Sequence, residues 1–228
     1  MKKILIFTML LVAMVSCTNE PYDTGDGTYS NMRVDFAEAY TNSSAYITSI
    51  YTDDGETLPL SSAVTTSWAE TADSTYRVLV YYNKVETSSG TYQAEPLSMS
   101  MISTPNIYDT AMFGDSAMTD PVNFVSSWKS KNGKYLNLEL SVLTGTVNGS
   151  TGQHVIGMMC DSVTEDAEGH RTVALTFYHD QNGVPEYYST DLYVSIPITF
   201  LPITPAEGDT VKVTVNTYDG ENTRTFSF

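Results

Sequence analysis

The 228 residues predict an all-β chain in two parts, a small barrel followed by an antiparallel sandwich. Three observations carry that reading. No stretch sustains a helical period. Short segments of Val, Ile, Tyr, Phe and Thr recur instead, separated by turn-forming residues, which is the signature of strands. Many of these segments alternate apolar with polar residues, so each would bury one face of a sheet.

The chain starts with a targeting signal. Lys2 and Lys3 precede an apolar run from Ile4 to Val15, the charged and hydrophobic parts of a secretory signal. At about 12 residues the run falls short of the roughly 20 that cross a bilayer. Met14-Val15-Ser16-Cys17 resembles a bacterial lipobox, with Met14 standing where Leu is commoner. Residues 1–16 are therefore expected to be cleaved as a signal peptide and Cys17 to carry lipid. Each buried methylene adds about 0.8 kcal/mol, so several acyl chains anchor a protein that does not span the membrane. Residues 17–30 are polar and rich in turn formers, a lipidated tether. Glu20, Asp23 and Asp26 form a diluted version of the acidic export signal that follows the lipidated Cys in Bacteroidota. The outer membrane is the expected location, with the cell surface and the periplasmic face both open.

Charge narrows the partners. The formal charge is -16, and removing Lys2 and Lys3 leaves 9 basic against 27 acidic residues. Phosphate backbones need clustered Lys and Arg, so nucleic acid is excluded as a partner. With Cys17 lipidated, Cys160 has no disulfide partner, and its place in Val155 to Cys160, VIGMMC, predicts a buried free thiol.

Residues 31–104 contain about five strands: Asn31 to Tyr40, Ala45 to Tyr51, Thr57 to Leu60, Thr75 to Val85 and Thr91 to Ile102. A turn at Asp53-Asp54-Gly55 and a hairpin over Glu86 to Gly90 join neighbours. Within Tyr76 to Tyr82, Val78 and Val80 share a face with Tyr76 and Tyr82, while Arg77, Leu79 and Tyr81 take the other. Five strands in about 70 residues fit a small OB-like barrel. Residues 105–120, with Pro105, Asn106 and Gly114, read as the joint.

Residues 121–228 form the second part. Pro121 to Trp128 is expected to carry one helical turn. Six strands follow: Lys134 to Leu143, Gln153 to Ser162, Arg171 to His179, Thr190 to Phe200, Asp209 to Tyr218 and Asn222 to Phe228. Leu136, Leu138, Leu140 and Val142 face one way, with Tyr135, Asn137, Glu139 and Ser141 opposite; Val173, Leu175 and Phe177 repeat the pattern, as do Val211, Val213 and Val215. Hairpin-like links are expected at Glu165 to Gly169, Asn182-Gly183 and Asp219-Gly220. Six antiparallel strands with one apolar face each make a β-sandwich. Pro197 places its strand at an edge or a bulge.

The lipobox, the strand pair closing on Asp54-Gly55, the strand Gly133-Lys134-Tyr135-Leu136-Asn137-Leu138, and the closing Val211 to Phe228 with Tyr218-Asp219-Gly220 together resemble the NigD-like lipoproteins of Bacteroidota. The resemblance covers nearly the whole mature chain. It implies an OB-like domain followed by a β-sandwich, and it implies no activity.

Candidate chemistry is sparse. His154, His170 and His179 lack metal-ligand spacing and read as ordinary strand-end and turn residues, so no metal or other cofactor is expected. Asp53 and Asp54 lie in a turn, where solvent exposure explains them. Tyr178, Tyr187 and Tyr188 are the aromatic candidates for ligand stacking, although Tyr is also a good strand residue. Asp109-Thr110-Ala111, Asp115-Ser116-Ala117 and Asp161-Ser162-Val163 resemble the O-glycosylation acceptor of Bacteroidota, with Thr110 and Ser116 in the accessible joint. The functional expectation is a non-enzymatic outer-membrane lipoprotein that binds a protein or glycan partner in the envelope. The alternative is a fimbrial, pilin-like subunit, which would need Arg-directed activation; Arg33, the one Arg ahead of the first domain's core, lies inside a predicted strand.

Overall fold

A computed structural model describes residues 32–147 and 149–228. The expected signal peptide, Cys17 and the tether lie outside these residues.

The first five strands are β1 (Met32–Thr41), β2 (Ile47–Thr52), β3 (Thr57–Val64), β4 (Thr75–Glu86) and β5 (Tyr92–Met101). They close into a barrel in the order β1-β2-β3-β5-β4, with β4 pairing back onto β1. Alternation decides what fills it: Val78, Val80 and Tyr82 of β4 meet Ala37 and Ala39 of β1 and Ile47 and Ile50 of β2, all fully buried. Small residues on β1 leave room for the Tyr82 ring, whose hydroxyl reaches out to donate to Asp35 at 2.7 Å.

The second part contains β6 (Ile107–Asp109), β7 (Asn123–Lys129), β8 (Tyr135–Thr144), the short pair β9 (Thr146–Val147) and β10 (Ser150–Thr151), β11 (Val155–Glu165), β12 (Arg171–Asp180), β13 (Tyr188–Pro197), β14 (Thr210–Thr217) and β15 (Gly220–Ser227). One sheet runs β15-β14-β12-β11-β6 and the other β13-β8-β7. Between them lies the core of Leu136, Leu138, Leu140, Val142, Val173, Leu175, Phe177, Val211, Val213 and Val215. These are the apolar faces that alternation assigned.

Four local expectations are corrected. The larger sheet is mixed, not antiparallel, because β12 pairs with β14 and β11 with β6 in the parallel sense. Asn182-Gly183 is no hairpin. It carries the chain from β12 in one sheet to β13 in the other, held by buried Val184 and by Gln181, whose amide donates to the carbonyls of Leu143 and Val184 at 3.0 Å each. The segment read as an irregular joint supplies β6. Pro121 to Trp128 holds a strand, β7, rather than a helical turn. A register shift between Phe124 and Ser126 moves the later residues to the other face, so Phe124 packs on the core while Trp128 meets Phe36 of the barrel at 5.1 Å. Two aromatics four apart on one helix face and on opposite faces of a bulged strand look alike in sequence. Pro197 ends β13, which is an edge strand of its sheet.

The barrel docks on the outer face of the three-stranded sheet, and polar residues hold it there. Arg77 of β4 is buried and grips Asp53 with both terminal nitrogens at 2.6 and 2.7 Å. Its remaining donors reach Asn137 Oδ1 at 3.1 Å and Ser195 Oγ at 3.0 Å across the interface, and its guanidinium lies 3.9 Å over the Tyr135 ring. Asp53 is therefore an interior residue, contrary to its expected exposure; only Asp54 points to solvent, 2.8 Å from Lys131. Beside this cluster, Glu38 accepts from Tyr135 Oη, Lys134 Nζ and Tyr40 Oη at 2.6–2.8 Å. Burial pushes the Glu38 carboxyl up, but these hydrogen bonds outweigh burial and hold it below its ordinary value.

Candidate functional site

β13 borders open space on both of its faces. Its even-numbered residues look into the sandwich, and there the mouth between the two sheets leaves a cavity of about 460 Å³. Val142, Ile156 and Leu192 make its apolar floor; Tyr188, Thr190, Thr144 and His154 supply its polar rim. On the opposite face, where the barrel leans on the sheet, a second cavity of about 440 Å³ lies among Leu79, Met101, Ile102 and Tyr193, with Ser100 and Ser103 at its edge. Asp191 and Leu192 line both. Pockets of this size, mainly apolar with a few placed polar groups, are the usual form of a binding site. No Lys or Arg lines either cavity, and the chain is strongly acidic.

The inner cavity meets a histidine pair. His154 Nδ1 lies 2.9 Å from His179 Nε2, with ring centroids 5.1 Å apart and planes 17° from parallel, so the imidazoles lie edge to edge. His179 is fully buried, and its Nδ1 lies 2.9 Å from the carbonyl oxygen of Asp120. That carbonyl can only accept, so His179 carries its proton on Nδ1, Nε2 accepts from His154 Nδ1–H, and neutral His154 is left with a lone pair on Nε2. This Nε2 is buried and has no hydrogen-bond partner among the described residues. Burial, assisted by His179, pushes the His154 pKa down and favours this neutral form.

The histidines and aromatics singled out in the sequence are thus sorted by the fold. His154 and His179 come together, whereas His170 stands apart, 3.6 Å from Asp166. Among the described residues no group of three His, Cys, Asp or Glu could hold a metal ion. Tyr188 lines the inner cavity, Tyr187 lies over Gly145 and is 76% exposed, and Tyr178 lies on the outer face of the larger sheet, 5.2 Å from the Phe113 ring. They form no common platform. Thr110 is half-buried and its hydroxyl donates to Asp161 at 2.6 Å, while Ser116 is exposed in a 3-10 turn. Cys160 is half-buried against the sandwich core, and burial pushes its thiol pKa up. Sequence reasoning missed Arg77 and Asp53. The signal was there: a lone Arg between Tyr76 and Val78 in an apolar strand needs a buried acceptor.

The sequence profile of the NigD-like C-terminal beta sandwich domain matches residues 104–228, more than half of the chain. The chain belongs to the NigD-like family. Among solved structures, this NigD-like chain is similar to a NigD-like immunity protein from Bacteroides caccae, at 24% identity and a TM-score of 0.63 over 86% of this chain and 92% of that one. It is also similar to a candidate toxin-related protein from Parabacteroides distasonis, at 20% identity and a TM-score of 0.65 over 86% and 93% of the two chains. A candidate lipoprotein from Bacteroides fragilis gives 10% identity and a TM-score of 0.58 over 86% and 96%. At these identities the likeness is one of fold. No curated protein matches this NigD-like sequence.

Proposed function

We propose that this NigD-like chain is a non-enzymatic lipoprotein, anchored in the outer membrane through Cys17, that binds a protein or glycan partner of the envelope through β13 and its two cavities. The observation that supports it is the pair of cavities meeting across Asp191 and Leu192, a built concavity with an apolar floor and a polar rim. The lipobox supports the anchor, and the descriptions of the fold relatives as an immunity protein and a candidate lipoprotein agree with a binding role in the envelope. The fimbrial alternative requires cleavage that frees a strand. Arg33 pairs with Tyr82 within the closed barrel, and its guanidinium lies 3.7 Å from Glu56, so a cut there would trim β1 and vacate no groove.

The test is site-specific photo-crosslinking in intact cells, with the crosslinker at Thr190 beside the cavities and, as control, at exposed Thr223 on β15. A discrete adduct from position 190 that is absent from position 223 is the expected result. Equal labelling at both positions, or none at 190, would refute the site. Membrane release by Cys17→Ser tests the anchor, and protease treatment of intact against lysed cells separates the surface from the periplasmic face.

A further inference from the structure

The unpaired edge of β13 runs between the two cavities. Ser195 N–H donates to the carbonyl of Ser103 at 2.9 Å, away from β8. In a regular antiparallel strand, alternate residues point their backbone groups the same way, and the β13–β8 register has no shift. The amides of Ser189, Asp191 and Tyr193 therefore point to that same edge. Among the described residues, the link between barrel and sandwich covers it at one place, the parallel bridge Ser103 to Val194. Among the described residues nothing pairs with the edge at Ser189 and Asp191, and Tyr188 to Asp191 are exposed while Val194 to Ile196 are buried.

A strand added at such an edge sends successive side chains to opposite faces of the sheet. Here those faces carry the two cavities, which meet at Asp191 and Leu192, so consecutive residues of the guest would enter first one and then the other. Backbone hydrogen bonds supply affinity in this mode and alternate pockets supply selectivity. We propose that β13 takes an extended, basic segment of a partner protein as an added strand. The inference rests on the partner-binding reading above and supplies its mode.

Charge selects this occupant. Asp191 stands on the edge between cavities lined by no Lys or Arg, and the chain carries a formal -16. A second copy of this chain would bring the same charge and be repelled, the device by which exposed edges avoid self-pairing. Apolar floors at Leu192, Ile156 and Met101 call for apolar side chains among the basic ones.

The probe is a pool of end-blocked nonapeptides in which Lys or Arg alternates with Val, Ile, Leu or Phe, titrated onto the full mature chain and followed by fluorescence anisotropy and amide hydrogen exchange. Basic peptides should bind at least tenfold more tightly than the same pool with Glu in place of Lys and Arg, and should slow exchange of the Asp191 amide. N-methylation of alternate peptide nitrogens should weaken binding at least tenfold in one register and little in the other. Thr190→Trp, which fills the inner cavity, should weaken it tenfold, and Ser189→Pro, which deletes an edge donor, should do the same; each variant's melting temperature checks that it folds. Equal binding of acidic and basic pools, indifference to N-methylation, or full affinity in both variants overturns the proposal. So does protection of the same amides by an oligosaccharide or by self-association in place of the peptide. A crosslinked partner at position 190 together with such failures would leave the partner-binding reading standing and remove only the added-strand mode.

Discussion

Replacing Arg77 with Met should unlock the barrel from the sandwich. The substitution keeps an unbranched side chain over the Tyr135 ring but removes four hydrogen bonds: two to Asp53, one to Asn137 and one to Ser195. Arg77 and Asp53 have side chains only 2% and 13% exposed, so the variant leaves Asp53 as an interior carboxylate whose remaining side-chain donor among the described residues is Asn137 Nδ2 at 3.1 Å. Breaking a buried pair from one side costs about 3–5 kcal/mol. The slight exposure of Asp53 puts the cost near the lower end, about 3 kcal/mol, which for a chain of this size lowers the melting temperature by roughly 6–12 °C. Arg77→Met combined with Asp53→Leu removes both charges, and its loss should fall at least about 2 kcal/mol short of the sum of the two single losses. Urea and thermal unfolding of the four proteins in the cycle give these values. A loss below about 1 kcal/mol for Arg77→Met, or strict additivity of the two changes, would show that the interface does not depend on this pair.

Three further outcomes are expected. Stability should fall in two stages as pH is lowered. Below the ordinary histidine value of 6.5, the unfolded chain takes up a proton that folded His154, with its lowered pKa, refuses; below 4.5, the contribution of Glu38 is lost as pH falls towards its depressed folded value. Urea midpoints from pH 8 to pH 3 record both stages, and His154→Gln should flatten the first alone. Gly145→Ala should destabilise by about 1–3 kcal/mol and disturb the approach to β13, because its Cβ would sit 2.8 Å from the Pro185 carbonyl oxygen and 2.9 Å from the Tyr187 ring; a melting temperature equal to that of the wild type would contradict this crowding. If the joint is O-glycosylated, Ser116→Ala should remove the added mass and Thr110→Ala should not, since the Thr110 hydroxyl is held by Asp161; intact-mass measurement of protein from the native host distinguishes the two.

Local pattern was enough to find most of what is local. Alternation at Leu136 to Val142 and at Val78 to Tyr82 names the core faces because a strand's side chains alternate whatever surrounds it. It failed where a bulge broke the alternation, at Phe124 to Trp128, and where the chain changed sheets, at Asn182-Gly183. A two-residue turn signal describes the bend and carries no information about which strand comes next to it.

The sequence by itself determined most of the strands, their apolar faces, the barrel-then-sandwich order and the acidic charge balance. Only the tertiary structure decided which polar faces are interior. Tyr135 and Asn137 read as the face opposite the core, yet the barrel covers them, and Arg77 reaches partners 60 and 118 residues away at Asn137 and Ser195. Periodicity reports that a face is polar; whether that face meets water or a matching polar face depends on pairings between distant segments, which leave no local trace. The parallel pairing of β12 with β14, the histidine pair at the sandwich mouth and the open edge of β13 all arise from such long-range pairings.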